Sequence, residues 1–523
     1  MSQKILTTLL GSLLLMSCGG NNSETPPEPL DTTPPSLSIR GPAVISIQQG
    51  SVFSDQGTIA NDNIDGDISS VVKIVGEVDT HKLGEYILTY NVSDSAGNAA
   101  VTVIRTVRVI NDGLLLQVSI DTKGQTIVDE PKILATMQVR TENEIIYDAN
   151  IGIEIRGSSS QSFDKKSFGF ETWDDQGKGT DIALAGFPAE EDWILYGPYS
   201  DKSMLRNVII YQLANQMGHY AVRTKFAEVS INHQYRGIYV LMEKIKRDKN
   251  RVDISKLKED DITGGYIIKI DKITGEDPSL DFFFDSAFDG FGKTNASQKI
   301  KFLYEYPKPK DISVAGKAYI QKYYHDFEHA LISDSFTDAE MGYRHYINVN
   351  SFIDFFLMNE LSHNVDAYRI STFMHKDKGE KLKMGPIWDF NIAFGNADYC
   401  RGETIDDWAY KFNEYCPEDS LRVPFWWARL LQDPTYVAAL KERWLELRAD
   451  ILSQSNIQGM IAEHVINLKY SNAVTRNFDT FDILGIALWP NFFVGDTYEQ
   501  EIDYLNDWIS RRLVWMDTEI AKL

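Results

Sequence analysis

Residues 362–396 read SHNVDAYRISTFMHKDKGEKLKMGPIWDFNIAFGN, and they place two aspartates, Asp366 and Asp389, 23 positions apart. The preceding stretch NSFIDFFLMNELSH (350–363) reads as a helix running into Asp366. A charged turn and a short apolar strand, KLKMGPIW, lead into Asp389. Phosphoryl transfer needs one carboxylate to position the attacking hydroxyl and another to hold the metal on the phosphates. Protein kinases take them from a catalytic loop and from a later DFG-type turn. VD and WDFN fit those two parts. Aspartates in loops are also commonplace as solvated turn residues or helix caps, so the surrounding chain has to discriminate.

Outward from this segment, the chain from about 113 to the end is mixed. NIGIEIRG, KKSFGFET, KFAEVSI, YRGIYVLME and GGYIIKID read as strands. SMLRNVIIYQLANQMG reads as an amphipathic helix, with Leu205, Val208, Ile209, Leu213 and Met217 along one face and Gly218 as its stop. After Asn350 the pattern is mainly helical, ending in TYEQEIDYLNDWISRRLVWMDTEIAKL. Strands early and helices late give an α+β class, in the order of a bilobal kinase-like fold, by analogy.

The N-terminal part differs. Residues 36–112 carry short, β-branched, alternating segments (SLSI, AVISI, VVKIV, GEYILTYNVSD, AAVTVIRTVRVI), the pattern of a small all-β sandwich. NDNIDGDIS, GEYILTYNVSDSAGN and VIRTVRVI resemble the immunoglobulin-like repeats of bacterial surface proteins, which implies a spacer or adhesion role. Asp62, Asn63, Asp65 and Asp67 offer oxygens of the kind calcium takes, but their spacing is not that of an EF-hand and they read as a polar turn. Residues 18–35 are polar and rich in Pro and Gly, a disordered tether. Residues 1–17 read as a signal peptide: Lys4, then an apolar run to Ser17 too short to span a bilayer. Its end, LMSC, resembles a bacterial lipobox and implies lipidation of Cys18. An exported protein meets an oxidising compartment, so Cys400 and Cys416, 15 residues between them, are expected to pair.

At 523 residues the chain is too long for one ordinary core, so it reads as multidomain. A net charge of −23 argues against nucleic acid and anionic membrane as partners, since both reward Lys and Arg.

Six blocks, RGSSSQSFDKKSFGFE, DWILYGPYSDKSMLRN, YRGIYVLMEKIKRDKNRVDI, GGYIIKID, DAYRISTFMHKDKGEKLKMGPIWDFNIAFGNADYC and PFWWARLLQDP, recur in the order of the CotH kinase family, first known from spore-coat protein H. The resemblance covers roughly 135–460, the core of a 113–523 domain. It implies an atypical, secreted protein kinase using ATP and a divalent ion, Mg²⁺ or Mn²⁺, on a protein acceptor that it does not name. It implies that Asp366 is catalytic and that Asp389 binds the metal. Many members read WDFD where this chain has Asn391; a carboxamide offers an oxygen without charge, which puts metal affinity in question. The kinase-type Asn five residues after the catalytic Asp is replaced by Ser371.

A kinase needs a cation on its phosphates. In KKSFGF, strand alternation puts Lys166 with Phe168 and Phe170, so it is expected to face the core side and meet phosphate there. Arg156, Ser158 and Ser159 belong to a small-residue turn whose backbone amides could cradle phosphate. Arg206 could reach a phosphate or a carboxylate, and Glu243 is a candidate hinge or lysine partner. His363 and the pair Trp426 and Trp427 read as structural residues. The expected protein is an exported lipoprotein of the cell envelope, at the outer membrane or cell surface, touching membrane only through its lipid. The alternative is a catalytically silent CotH-like protein for surface assembly or adhesion.

Overall fold

The computed structural model describes residues 31–523 apart from 83, 111–114, 142–143, 274–280 and 295–297. Cys18, the lipobox, the signal peptide and most of the tether fall outside the described residues.

The chain divides into two compact units, one covering most of the residues up to Arg108 and the other running from Val109 to Leu523. The first is all β. Strands β1 (Ser36–Ile39), β3 (Thr58–Asp62) and β4 (Gly66–Asp67) form one sheet, in the order β1-β3-β4. Strands β2 (Val44–Gln48), β5 (Lys73–Val75), β6 (Gly84–Asn91) and β7 (Val103–Ile110) form the other, in the order β2-β7-β6-β5. Alternation explains the core: Leu88, Tyr90 and Val107 turn inward on β6 and β7, and Leu37 and Ile39 of β1 pack on them. This is the two-sheet arrangement that the alternating segments predict.

The second unit begins with a closed seven-stranded barrel. Its strands are β8 (Leu116–Asp121), β9 (Ile133–Arg140), β10 (Ile145–Arg156), β11 (Ser167–Thr172), β12 (Asp192–Tyr196), β13 (Thr224–Ile231) and β14 (Gln234–Glu243), in the order β10-β11-β12-β14-β13-β8-β9. Closure removes the free edges that an open sheet would expose. Val118, Met137, Ile153, Phe170 and Leu195 fill the interior.

A five-stranded sheet follows. It comprises β15 (Tyr266–Ile270), β16 (Phe283–Asp289), β17 (Lys299–Tyr306), β18 (Thr372–Lys376) and β19 (Lys383–Met384), ordered β16-β17-β15-β18-β19. β18 comes late in the chain but pairs antiparallel with β15, Ile270 opposite Thr372. That pairing brings the segment before β18 beside the end of β15.

The helices are α1 (Arg206–Gln216), α2 (Val314–Ile332), α3 (Val349–Ser362), α4 (Phe412–Tyr415), α5 (Trp426–Leu430), α6 (Pro434–Ala449), α7 (Gln454–Tyr470), α8 (Ala473–Thr480) and α9 (Tyr498–Lys522). α3 starts where the Asn348 side chain accepts from the Ser351 amide at 3.0 Å. It is buried from Ser351 to Ser362 and stops at His363, whose backbone is left-handed. α1 differs from the expected amphipathic helix. Leu205, Val208, Ile209, Leu213 and Met217 are buried, but so are Arg206, Asn207, Ile210 and Tyr211. Residues 206–211 are buried on every side, so that stretch needs polar residues with internal partners, and Arg206, Asn207 and Tyr211 supply them, while Asn215 and Gln216 at the far end are exposed. Trp426 and Trp427 are each 1% exposed and serve the core, as expected of structural residues.

Candidate functional site

The two aspartates of the opening segment reach the same place. α3 delivers Asp366 through the turn that its left-handed cap begins, and β19 delivers Asp389. Both line one cavity of about 420 Å³, together with Arg156, Ser158, Ser159 and Asn391.

Asp389 is fixed from below by α1. Its backbone amide donates to the Tyr211 hydroxyl at 3.0 Å, and the Phe390 amide donates to Asn207 Oδ1 at 2.7 Å. The Asn364 side chain donates to the Asp389 carbonyl at 3.4 Å. Asp389 itself is left-handed, with φ 65°, a conformation that costs energy and marks a constrained site. Trp388 stacks on Tyr211 with ring centres 6.2 Å apart. On the same indole lies the Arg156 guanidinium, 5.4 Å from the ring centre. The Arg156 side chain makes no hydrogen bond or ion pair among the described residues, so its guanidinium donors are available to a ligand.

Asp366 is held by Arg369, whose Nη2 donates to Oδ1 at 2.8 Å. Arg369 is itself buried, over the Phe412 ring and 3.3 Å from Asp419. Burial nevertheless raises the Asp366 pKa above the ordinary carboxyl range, against the pull of Arg369. Burial, then Asp366, then Asp271 push Asp389 up to about 6. Like charges gathered in a partly desolvated cleft resist ionisation. A divalent cation placed among them would reverse that, so the donor set fits a hard, oxygen-seeking ion such as Mg²⁺ or Mn²⁺.

Sequence reading missed Asp271, Lys269, Glu305 and Arg369. Asp271 follows β15 and lines the cavity. Lys269 lies 3.5 Å from Asp271 and 3.3 Å from Glu305 across β15 and β17. Burial opposes its charge, yet Glu305 and Asp271 hold its pKa above the usual lysine value. The signal for Asp271 was present in GGYIIKID, an acidic residue ending an apolar strand. Nothing local announces Glu305, which reaches the cleft through strand pairing.

Several expected site residues lie elsewhere. Lys166 does not line the cavity: its Nζ donates to the carbonyls of Gln161 and Phe163 at 2.7 and 2.6 Å. β11 starts only at Ser167, so strand alternation does not extend back to Lys166. The buried lysine is Lys165, 2% exposed, which donates to Asn477 Oδ1 at 2.7 Å between the Tyr239 and Phe481 rings. Arg206 is buried against Asp201 at 2.6 Å and donates to the Ala393 carbonyl at 3.0 Å, the carboxylate partnership rather than the phosphate one. Glu243 is fully buried, 2.6 Å from Arg223 and 3.5 Å from Arg251, and it partners no lysine among the described residues. His363 is buried outside the cavity lining, and burial holds its pKa well below the usual value. Cys400 and Cys416 are bonded, with Cα atoms 5.7 Å apart. Their loop follows Tyr399, which lines the cavity.

Residues 153–516 match the family described as CotH kinase protein. Residues 37–109 match a bacterial surface protein, Ig-like domain. No curated protein matches the chain. Among solved structures, the lipoprotein BT2262 from Bacteroides thetaiotaomicron is 16% identical, over 40% of this chain and 100% of that one, with a TM-score of 0.15. A structure of CBM51-2 in complex with GlcNAc and INT domains from Clostridium perfringens ZmpB is 19% identical, over 30% of this chain and 41% of that one, with a TM-score of 0.14. Scores this low support no fold assignment.

Proposed function

The chain belongs to the CotH kinase family, and from that premise we propose that its cleft binds ATP with Mg²⁺ or Mn²⁺ and transfers the γ-phosphoryl group to a hydroxyl of a protein acceptor. The observation that carries this reading is the meeting of Asp366, Asp389 and an unpartnered Arg156 in one cavity. Asp389 is the metal-holding carboxylate, with Asn391 beside it as a neutral oxygen donor. A divalent ion held by Asp389 and Asn391 would supply charge neutralisation on the phosphates. Arg156, flattened on Trp388, presents donors to phosphate oxygens in place of the expected Lys166. Ser158 and Ser159 follow it on the same cavity wall. Asp366, oriented by Arg369, accepts the proton of the acceptor hydroxyl. The new bond joins that oxygen to the γ-phosphorus as the bond to ADP breaks. The barrel serves as the nucleotide-side lobe and the helical part as the acceptor side.

The surface reading extends this. A family described by bacterial surface proteins supports placement outside the cell, with Cys18 as a lipid anchor and the β unit as a spacer. The competing reading, a silent assembly module, draws on Asn391. Transfer from γ-labelled ATP to a mixed set of acceptor proteins, with each metal in turn, separates the two. Label incorporation lost in Asp366→Ala supports the kinase. Incorporation absent from the wild type under both metals favours the silent module.

A further inference from the structure

The expectation of a polar turn at Asp62, Asn63, Asp65 and Asp67 describes only part of what the β unit builds. Asp65 is spent on Ser95, accepting from its amide at 2.6 Å and its hydroxyl at 2.8 Å. Asp67 accepts from the Ser69 amide at 2.9 Å. Asp62, at the end of β3, instead meets two carboxylates from distant segments. Asp31, Asp62 and Asp94 bring carboxylate oxygens within 4.8 Å of one another.

None of the three has a cationic partner among the described residues. Asp62 is 9% exposed and Asp94 7%. Asp94 is pinned by Asn98, which donates to its two oxygens from the backbone at 2.8 Å and the side chain at 2.9 Å. The same Asn98 amide also donates to the Asp31 carbonyl at 3.1 Å. Asp62 Oδ2 accepts from the amides of Ile64 and Asp65 at 2.7 and 2.9 Å. Asp62 Oδ1 is buried and has no hydrogen-bond partner. Buried polar atoms are nearly always satisfied, and three like charges this close repel unless a counter-ion joins them. A buried, unpartnered oxygen on one of three clustered carboxylates points to a cation.

We infer that the β unit binds one calcium-class divalent ion through Asp31, Asp62 and Asp94. The donors are all hard oxygens, and calcium tolerates the irregular, partly hydrated geometry that three remote segments provide. Magnesium requires a tighter octahedron and gives up water reluctantly. The three ligands come from the segment before β1, the end of β3 and the loop after β6. The ion therefore fastens the entering segment at Asp31 to the body of the sandwich.

Calcium titration calorimetry on the full chain tests this, run on the wild type, Asp389→Ala, Asp62→Asn and Asp31→Asn. The cleft variant removes any contribution from the other acidic site. One calcium per chain should remain in Asp389→Ala. Its affinity should fall at least tenfold in Asp62→Asn, which keeps an acceptor for the Ile64 and Asp65 amides, and fall also in Asp31→Asn, which leaves the sheets intact. Calcium should also protect the chain near Asp31 from limited proteolysis, more than equal magnesium does. Circular dichroism checks that each variant is folded; if Asp62→Asn is not, Asp31→Asn decides. No calcium bound in Asp389→Ala, or undiminished binding in the folded aspartate-to-asparagine variants, overturns the inference.

Discussion

Asp366 lies close enough to Asp389 to raise its pKa, and with burial and Asp271 it helps carry that carboxyl to about 6. Burial and these like charges therefore outweigh the opposing pull of Arg156 and Lys272 on the Asp389 carboxyl. Above pH 6 the folded, ligand-free protein bears the repulsion. As pH falls from about 7 towards 4, folded Asp389 takes up a proton that the unfolded chain, at its ordinary value of 3.8, does not yet hold. This contribution to stability grows as pH falls.

Asp389→Asn should accordingly stabilise the ligand-free protein at pH 8. The bound is about 3 kcal/mol, since each tenfold change in proton affinity between the folded and unfolded chain corresponds to roughly 1.4 kcal/mol. The advantage over wild type should shrink towards pH 5. Thermal unfolding of both proteins at the two pH values checks it. In wild type the same proton competes with the ion, so metal affinity should fall below pH 6.

Arg156 and Lys166 make opposite predictions. Arg156→Ala should weaken nucleotide binding by roughly 10- to 100-fold, since a hydrogen bond to a charged group contributes about 1.5–3 kcal/mol. Lys166→Ala, which loses only bonds to the Gln161 and Phe163 carbonyls, should change it by less than about threefold. Fluorescent-nucleotide titration of both variants distinguishes them.

That contrast shows where sequence reading succeeds and where it stops. The alternation of SLSI and GEYILTYN and the helix before Asp366 are local patterns, and both fold as read. Asp366 and Asp389 are legible as a pair because a short chain segment joins them. Lys166 was misplaced because alternation holds only inside a strand, and β11 begins one residue later. Arg206 and Glu243 are charged residues on buried elements. Their partners, Asp201, Arg223 and Arg251, are fixed by tertiary packing that no periodicity records. Tyr211 and Asn207, which hold the Asp389 turn, are invisible for the same reason. They look like exceptions to an amphipathic helix until residues 206–211 prove buried all round.

Asn391 lines the cavity with a neutral oxygen. Asn391→Asp adds a fifth carboxylate to a cavity already lined by Asp271, Glu305, Asp366 and Asp389. Manganese or magnesium affinity in the presence of ATP should rise about tenfold, with the ligand-free protein losing stability by roughly 1 kcal/mol from added repulsion. Metal titration and thermal unfolding of this variant give both signs.

The bond between Cys400 and Cys416 closes a loop of about 15 residues, which contributes on the order of 3 kcal/mol in the chain-entropy account. Cys416→Ser should lower the unfolding midpoint by several degrees and loosen the wall at Tyr399. Nucleotide affinity should fall more modestly than in Arg156→Ala. Non-reducing peptide mapping with thermal unfolding checks the pairing and its effect.

The central claim is that Asp389 makes this cleft a metal–nucleotide site. Calorimetric titration of ATP into the wild-type protein and Asp389→Ala, with and without Mg²⁺ or Mn²⁺, tests it most directly. The account predicts metal-dependent binding in wild type, lost at least tenfold in Asp389→Ala and largely retained in Asp366→Ala. A wild type that binds no ATP under either metal, or an Asp389→Ala protein that binds it equally well, would contradict the account.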